Sequence, residues 1–292
     1  MATGFFTDTT LCIGCKACEV ACKQWNQLPA EDYALTGMSY DNTAGLGAST
    51  WRHVAFIEQF DKGTGRYMGM PGSQAGAGVE AVAGRMTERE ASDGGAVFLG
   101  DSRWLMMSNV CKHCSNAGCL QSCPTGAIIR NEFGDVYVQP DVCNGCGYCQ
   151  IACPFGVIEL DHHDGRAWKC TLCYDRQKDG LTPACAKACP TQSIQFGEVE
   201  ALKAHARDRV GMLHARGVTG AYLYGVDERT SVGDLNAFFL LVDEPQVYNL
   251  PERPHVPGAQ AIPAYVAAAA TGLLLGALSL AAIALGGRRS TL

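Results

Sequence analysis

Between Cys143 and Pro154 the chain reads CNGCGYCQIACP, four cysteines at spacing C-x2-C-x2-C-x3-C closed by proline. Three thiolates this close must converge on one compact body, so the backbone has to wrap it in a tight loop. Gly145 and Gly147 supply the positive φ that such a loop needs without steric cost. Thiolates at this spacing hold a cubane iron–sulfur cluster, and where two clusters lie together the fourth cysteine binds the other one. The expected geometry starts a helix at that fourth cysteine, with Pro154 in the first turn, where a missing N–H costs little. One such run implies a partner run elsewhere.

Three further groups supply it: Cys12-x2-Cys15-x2-Cys18-x3-Cys22, followed by Lys23 where proline is expected; Cys111-x2-Cys114-x4-Cys119-x3-Cys123-Pro124; and Cys170-x2-Cys173-x11-Cys185-x3-Cys189-Pro190. All 16 cysteines fall in these four groups. A disulfide scaffold of this size is unusual. Structural zinc favours two C-x2-C knuckles separated by a longer stretch, not four cysteines within a dozen residues ending in Cys-Pro. Four cubane clusters are the expectation. After Pro124 comes TGAIIR and after Pro154 comes FGVIEL, and the strand pattern DVYVQ leads into Cys143, which marks the second and third groups as halves of one unit bracketed by the first and fourth. The fold class expected is α+β: two nested ferredoxin-like two-cluster modules with loop insertions, the outer from residues 1–27 and 165–244, the inner from 101–164.

Residues 28–100 read as an insertion contacting a partner, with strand-like alternation at Trp51 to Phe60 and a glycine-rich tract at Gly63 to Gly78. Its GTGRYMG lacks the following helix that a phosphate cradle requires, so it reads as loop. An amphipathic helix is expected at 198–216 through Val199, Leu202, Val210 and Leu213, with strands at 221–224 and 237–242. Residues 245–261 read as a stiff, extended proline-rich linker. Ile262 to Leu285 is an uncharged run; at about 1.5 Å per residue it makes about 36 Å of helix, enough to cross a hydrocarbon core of about 30 Å. Ala268, Gly272 and Gly276 give it a small-residue packing face, and 286–292 form a short basic tail. Arg288 and Arg289 favour a cytoplasmic C-terminus and a cluster domain on the extracytoplasmic face, the alternative being a simple tail anchor with the clusters in the cytoplasm. The N-terminus MATGFFTDTTLC has neither basic n-region nor apolar h-region, so no secretory signal is read there.

Formal net charge is −6, and each oxidised cluster with four thiolates adds roughly two negative charges, which disfavours nucleic-acid binding. Lys16, Lys112 and Lys169 adjoin ligating cysteines; solvated loop lysines are the expectation, with tuning of cluster potential as the alternative. His113 reads as solvated or hydrogen-bonded rather than as a ligand, and His162 and His163 as members of a polar turn. No nucleotide-binding motif, nucleophile–base pair, pterin fingerprint or flavin fingerprint is visible, so the chain reads as non-catalytic, a carrier of electrons.

The runs TLCIGCKACEVACKQWN, VCKHCSNAGCLQSCPTGAI, VCNGCGYCQIACPFGV and KCTLCYDRQKDGLTPACAKACPTQSIQFG resemble the iron–sulfur (beta) subunits of membrane-bound formate dehydrogenase, within the four-cluster electron-transfer subunits of molybdenum and tungsten oxidoreductases. Subunits serving hydrogenases and polysulfide or thiosulfate reductases are similar, less closely. The resemblance implies crossed ligation: Cys12, Cys15, Cys18 and Cys189 on a first cluster; Cys22, Cys170, Cys173 and Cys185 on a second; Cys111, Cys114, Cys119 and Cys153 on a third; Cys123, Cys143, Cys146 and Cys149 on a fourth. It further implies that the first faces a large molybdenum- or tungsten-pterin catalytic subunit. The fourth would face a membrane quinone-reducing subunit of cytochrome b or other integral type. It places the protein at the cell membrane, carried across with a partner bearing a twin-arginine signal. Related nitrate reductase subunits have tryptophan at one ligand position; here Trp25 and Trp168 lie outside the motifs, so four [4Fe-4S] clusters are implied.

Overall fold

The strand that precedes the first cysteine group organises the structure. In this computed structural model, which describes residues 1–30, 41, 43, 45–59, 67–68, 103–226 and 229–287, Thr3–Asp8 (β1) is an inner strand of a four-stranded sheet. It pairs antiparallel with Ile194–Glu198 (β9) and parallel with Ala237–Leu241 (β11), which in turn pairs with Tyr222–Tyr224 (β10). The sequence of β11, AFFLL, is apolar throughout and buried throughout, the pattern of a strand covered on both faces. Gly4 permits the close approach of β1 and β11, because a Cβ there would lie 1.9 Å from the Asn236 carbonyl oxygen. The helix Val199–Ala215 (α6) buries Val199, Leu202, Ala206 and Leu213. This sheet has a consequence for the cysteines: β1 feeds the first group through the 3-10 turn Thr9–Leu11, β9 follows the fourth group, and the two strands lie side by side.

A second sheet joins Arg52–Gln59 (β2) antiparallel to Arg103–Val110 (β4) and to Tyr67–Met68 (β3). β4 runs directly into Cys111. The alternation expected at Trp51 to Phe60 is present, but both faces are covered: Val54 and Phe56 enter the apolar core around the cysteines, while Ala55 and Ile57 enter the core beneath α6. Tyr67 and Met68, read as loop, form the short strand β3. The rest of the expected insertion, including most of the glycine-rich tract, lies outside the described residues, as does the tail beyond 287. Two small hairpins complete the β structure. Ile128–Arg130 (β5) pairs with Val136–Val138 (β6), and Glu159–Leu160 (β7) with Ala167–Trp168 (β8).

Five short helices carry the cysteine groups: Ala17–Trp25 (α1), Gly118–Gln121 (α2), Tyr148–Ile151 (α3), Tyr174–Lys178 (α4) and Ala184–Lys187 (α5). Here the expected geometry is corrected. The fourth cysteine of a group does not open a helix; Cys123, Cys153 and Cys189 each follow one. The proline after each stops it, since proline disfavours helical backbone at the residue before it. In the first group Lys23 removes that stop, and α1 continues through Cys22 to Trp25.

The proline-rich segment is likewise corrected. It is docked on the body, with 3-10 turns at Pro245–Tyr248 and Pro257–Gln260 and with Tyr248, Leu250 and Val256 buried. The Tyr224 hydroxyl donates to the Pro251 carbonyl at 2.7 Å. Apolar side chains between the prolines decide its path. The final helix, Ala261–Gly287 (α7), is the one helix among the described residues long and apolar enough to cross a membrane, with mean hydropathy 2.1 over Pro257–Ile283. Thr271 and Ser279 return their hydroxyls to the carbonyls of Ala267 and Leu275, which leaves no demand for water. A Cβ on Gly272 or Gly276 would meet nothing within 4 Å.

Candidate metal centres

The four cysteine loops share one backbone device. The residue before the second cysteine is left-handed in each: Gly14 at φ 68, His113 at 45, Gly145 at 72 and Leu172 at 56. His113 and Leu172 adopt it without glycine's freedom, held by complete burial, the kind of local strain that a well-packed site sustains. The third cysteine of each group, Cys18, Cys119, Cys149 and Cys185, stands on a short helix.

Folding brings the groups together by exchange. Cys12, Cys15 and Cys18 line one cavity with Cys189, against Val54 and Ile194. Cys111, Cys114 and Cys119 line a second with Cys153, against Phe155 and Val157. Cys143, Cys146 and Cys149 line a third with Cys123, against Ile128 and Leu160. Cys170 interacts electrostatically with Cys22, Cys173 and Cys185, the remaining three, and also with Cys111 of the second cavity. All sixteen are free thiols. The three cavities measure about 290 to 320 Å3 including their open mouths. Among the described residues no three His, Cys, Asp or Glu side chains converge as a single metal ion requires. Four sulfurs spread around a volume are the donor set of a cluster.

Burial makes many of these thiols resist ionisation. Burial pushes Cys18, Cys119 and Cys173 up to about 12 and Cys149 to about 11, and burial together with neighbouring cysteines raises Cys22, Cys114 and Cys170 strongly. A thiolate in such a place needs cationic compensation, which iron provides.

The walls also hold fixed cations. Lys112 and Lys169, expected to be solvated, are 1% and 2% exposed. The reason for the correction is that both side chains turn inward under the cavity walls. Lys112 donates to Asn109 and to the Val110 carbonyl and lies 5.1 Å from the Phe239 ring centroid. Lys169 donates to the carbonyls of Val136 and Cys170. Burial lowers Lys112 to about 8 despite the neighbouring thiols. Lys16, by contrast, is partly exposed and ion-paired with Glu19 and Asp41. His113 is buried, with Nδ1 accepting the Val136 N–H at 3.2 Å; burial keeps it neutral. His162 and His163 are exposed.

Sequence reasoning missed a buried polar seam between α1 and β2. His53 Nε2 meets Asp41 Oδ2 at 2.7 Å, Glu19 accepts the Val54 N–H, and Arg52 is fully buried. The signal available was the Arg-His pair heading the apolar run WRHVAFI.

Thiols in fours around apolar cavities define an iron–sulfur protein. Comparison with known sequences agrees: descriptions of the 4Fe-4S dicluster domain match residues 11–127 and 102–199. The sequence is 34% identical over 283 residues to the formate dehydrogenase iron-sulfur subunit of Haemophilus influenzae, covering 95% of this protein and 77% of the relative. It is 37% identical over 255 residues to the formate dehydrogenase-O iron-sulfur subunit of Escherichia coli, covering 85% and 71%. To a subunit of the anaerobic dimethyl sulfoxide reductase of Escherichia coli it is 30% identical over 205 residues, covering 68% and 75%. The protein belongs to the family of formate dehydrogenase iron–sulfur subunits.

Proposed function

We propose that this protein is the electron-transfer subunit of a membrane-bound formate dehydrogenase complex, itself non-catalytic, relaying electrons from a molybdenum or tungsten catalytic subunit through four [4Fe-4S] clusters to a quinone-reducing membrane partner. The observation that carries the reading is the gathering of sixteen thiols from four sequence groups into four mixed sets. Cys12, Cys15, Cys18 and Cys189 would hold one cluster, Cys22, Cys170, Cys173 and Cys185 the next, Cys111, Cys114, Cys119 and Cys153 the third, and Cys123, Cys143, Cys146 and Cys149 the last. Bound there, the clusters supply one-electron carriers.

The protein's own residues support a relay with two open ends. Cys15 in the first set and Cys146 in the last are exposed, whereas the second set is wholly buried. Exposed apolar side chains accompany both groups in the chain: Ile13 and Val20 within the first cysteine group, and Val142, Tyr148 and Ile151 beside or within the third. The pair of short helices α2 and α3, which carries cysteines of the third and last sets, lies toward the root of α7. Gly118 of α2 is wedged between the Ala152 carbonyl, at the end of α3, and Val256, just before the final turn into α7. The exposure of Cys15 and Cys146 supports the order in which the first set meets the catalytic subunit and the last meets the membrane partner. The same reading places α7 across the membrane with the cluster domain on the extracytoplasmic side.

A second reading, the same relay serving another molybdoenzyme, is favoured by the likeness to a dimethyl sulfoxide reductase subunit. The two separate on one experiment. In the complex purified anaerobically with its large partner, formate is expected to elicit the paramagnetic signals that dithionite elicits. Signals raised by dithionite but not by formate would support the second reading instead.

A further inference from the structure

Arg52 carries a permanent charge into the core. It is 1% exposed, near the start of β2. Nη1 donates to the Ser108 carbonyl at 3.3 Å and to the Ser108 hydroxyl at 3.2 Å, and the guanidinium lies 4.7 Å from the Phe5 ring centroid. Nε and Nη2 are buried without a hydrogen-bond partner. Among the described residues no carboxylate pairs with it. The groups acting most strongly on its charge are four cysteines, Cys185, Cys18, Cys170 and Cys22. One belongs to the first thiol set and three to the second.

An isolated cation in an apolar interior is strongly disfavoured unless something anionic compensates it. Here, among the described residues, the anions within reach are what the thiols hold. We propose that Arg52 is the shared counter-ion of the first two cysteine sets, a positioning residue that raises the reduction potential of the clusters bound there. The inference rests on the reading of those sets as cluster sites. Reduction adds one negative charge to a cluster, and a fixed cation at short range in a low-dielectric interior stabilises the more negative form. Ser108 carries the effect to one ligand. Its hydroxyl oxygen accepts from Arg52 and lies 3.2 Å from Cys18 Sγ, so the hydroxyl proton is left to donate to the ligating sulfur. Hydrogen bonds to cluster sulfurs act on potential in the same direction as the charge. A guanidinium suits the place because its fork can grip Ser108 and still present further N–H groups. Lys169 repeats the arrangement at the next junction, acting on Cys111 and Cys119 of the third set and Cys170 of the second.

The test is an anaerobic redox titration of the intact complex, followed by electron paramagnetic resonance, with iron counted in the same samples. R52Q is expected to keep its iron and to show, at the parent midpoint of a first- or second-set cluster, a reduced-to-oxidised ratio lower by roughly tenfold, equivalent to about 59 mV for one electron. R52K, which keeps the charge, is expected to titrate with the parent. R52Q with full iron and parent midpoints throughout would overturn the proposal. Should R52Q lose iron, R52K decides: parent iron and midpoints support the charge role, and loss of iron or a tenfold displacement overturns it. A parent complex with iron for fewer than four clusters would instead contradict the cluster reading itself.

Discussion

Replacing Cys189 with alanine is expected to remove or convert the same paramagnetic signal as replacing Cys12, although the two lie in the last and first cysteine groups. The reason is topological. Thr7 of β1 pairs with Ile194 of β9, and the Ser193 hydroxyl donates to the Asp8 carbonyl at 2.7 Å, which fixes the end of the fourth group beside the start of the first. Cys189 is accordingly the first cysteine among the charges that act on Cys12. Each variant should lose up to about four irons, the content of one cubane, and leave the other three signals in place. Cys170→Ala should remove a different signal, shared with Cys22→Ala. If Cys189→Ala instead reproduced the loss seen in Cys170→Ala, each group would bind its own cluster and the exchange would be wrong.

Chelation of iron under reducing conditions is expected to unfold the protein, not to leave an empty shell. Arg52, Lys112 and Lys169 are buried without carboxylate partners among the described residues. The effective penalty for an uncompensated buried ion is several kcal/mol, so three of them rival the roughly 5–15 kcal/mol of net stability that a folded domain has. The thiols nearest these cations, among them Cys18, Cys22, Cys119 and Cys170, cannot substitute, because burial holds them protonated at neutral pH. Clusters carrying about two negative charges each when oxidised would offset all three cations at once. Metal binding in such a protein is folding free energy. Circular dichroism and amide exchange recorded as iron is withdrawn should therefore change together. Slow exchange persisting in β1, β9 and β11 after complete iron loss would contradict this.

What the sequence disclosed and what it hid divide along one physical line. Cysteine spacing and the positive φ of Gly145 and Gly147 are local, and so is the 3.6-residue period that foretold α6 at 198–216 against the observed Val199–Ala215. Strands expected at 221–224 and 237–242 appear as β10 and β11 for the same reason. The parallel pairing of β1 with β11 left no local mark, because it joins residues far apart in sequence. Proline suggested stiffness at 245–261, while the path was set by where Tyr248, Leu250 and Val256 could be buried. The buried lysines were least legible of all. On the proposed cluster assignment their counter-charge comes from a cofactor and not from a residue, so a pattern of residue types made them look like surface cations. Arg52 shares that origin, and only its place in a strand covered on both faces exposes it.

The central claim is that the sixteen thiols hold four cubane clusters, and the most direct test counts them. Iron and acid-labile sulfide measured per polypeptide in anaerobically purified protein should each come to about sixteen, four per cluster. Stoichiometric zinc, or iron and sulfide near eight in protein that has retained all its native signals, would contradict it.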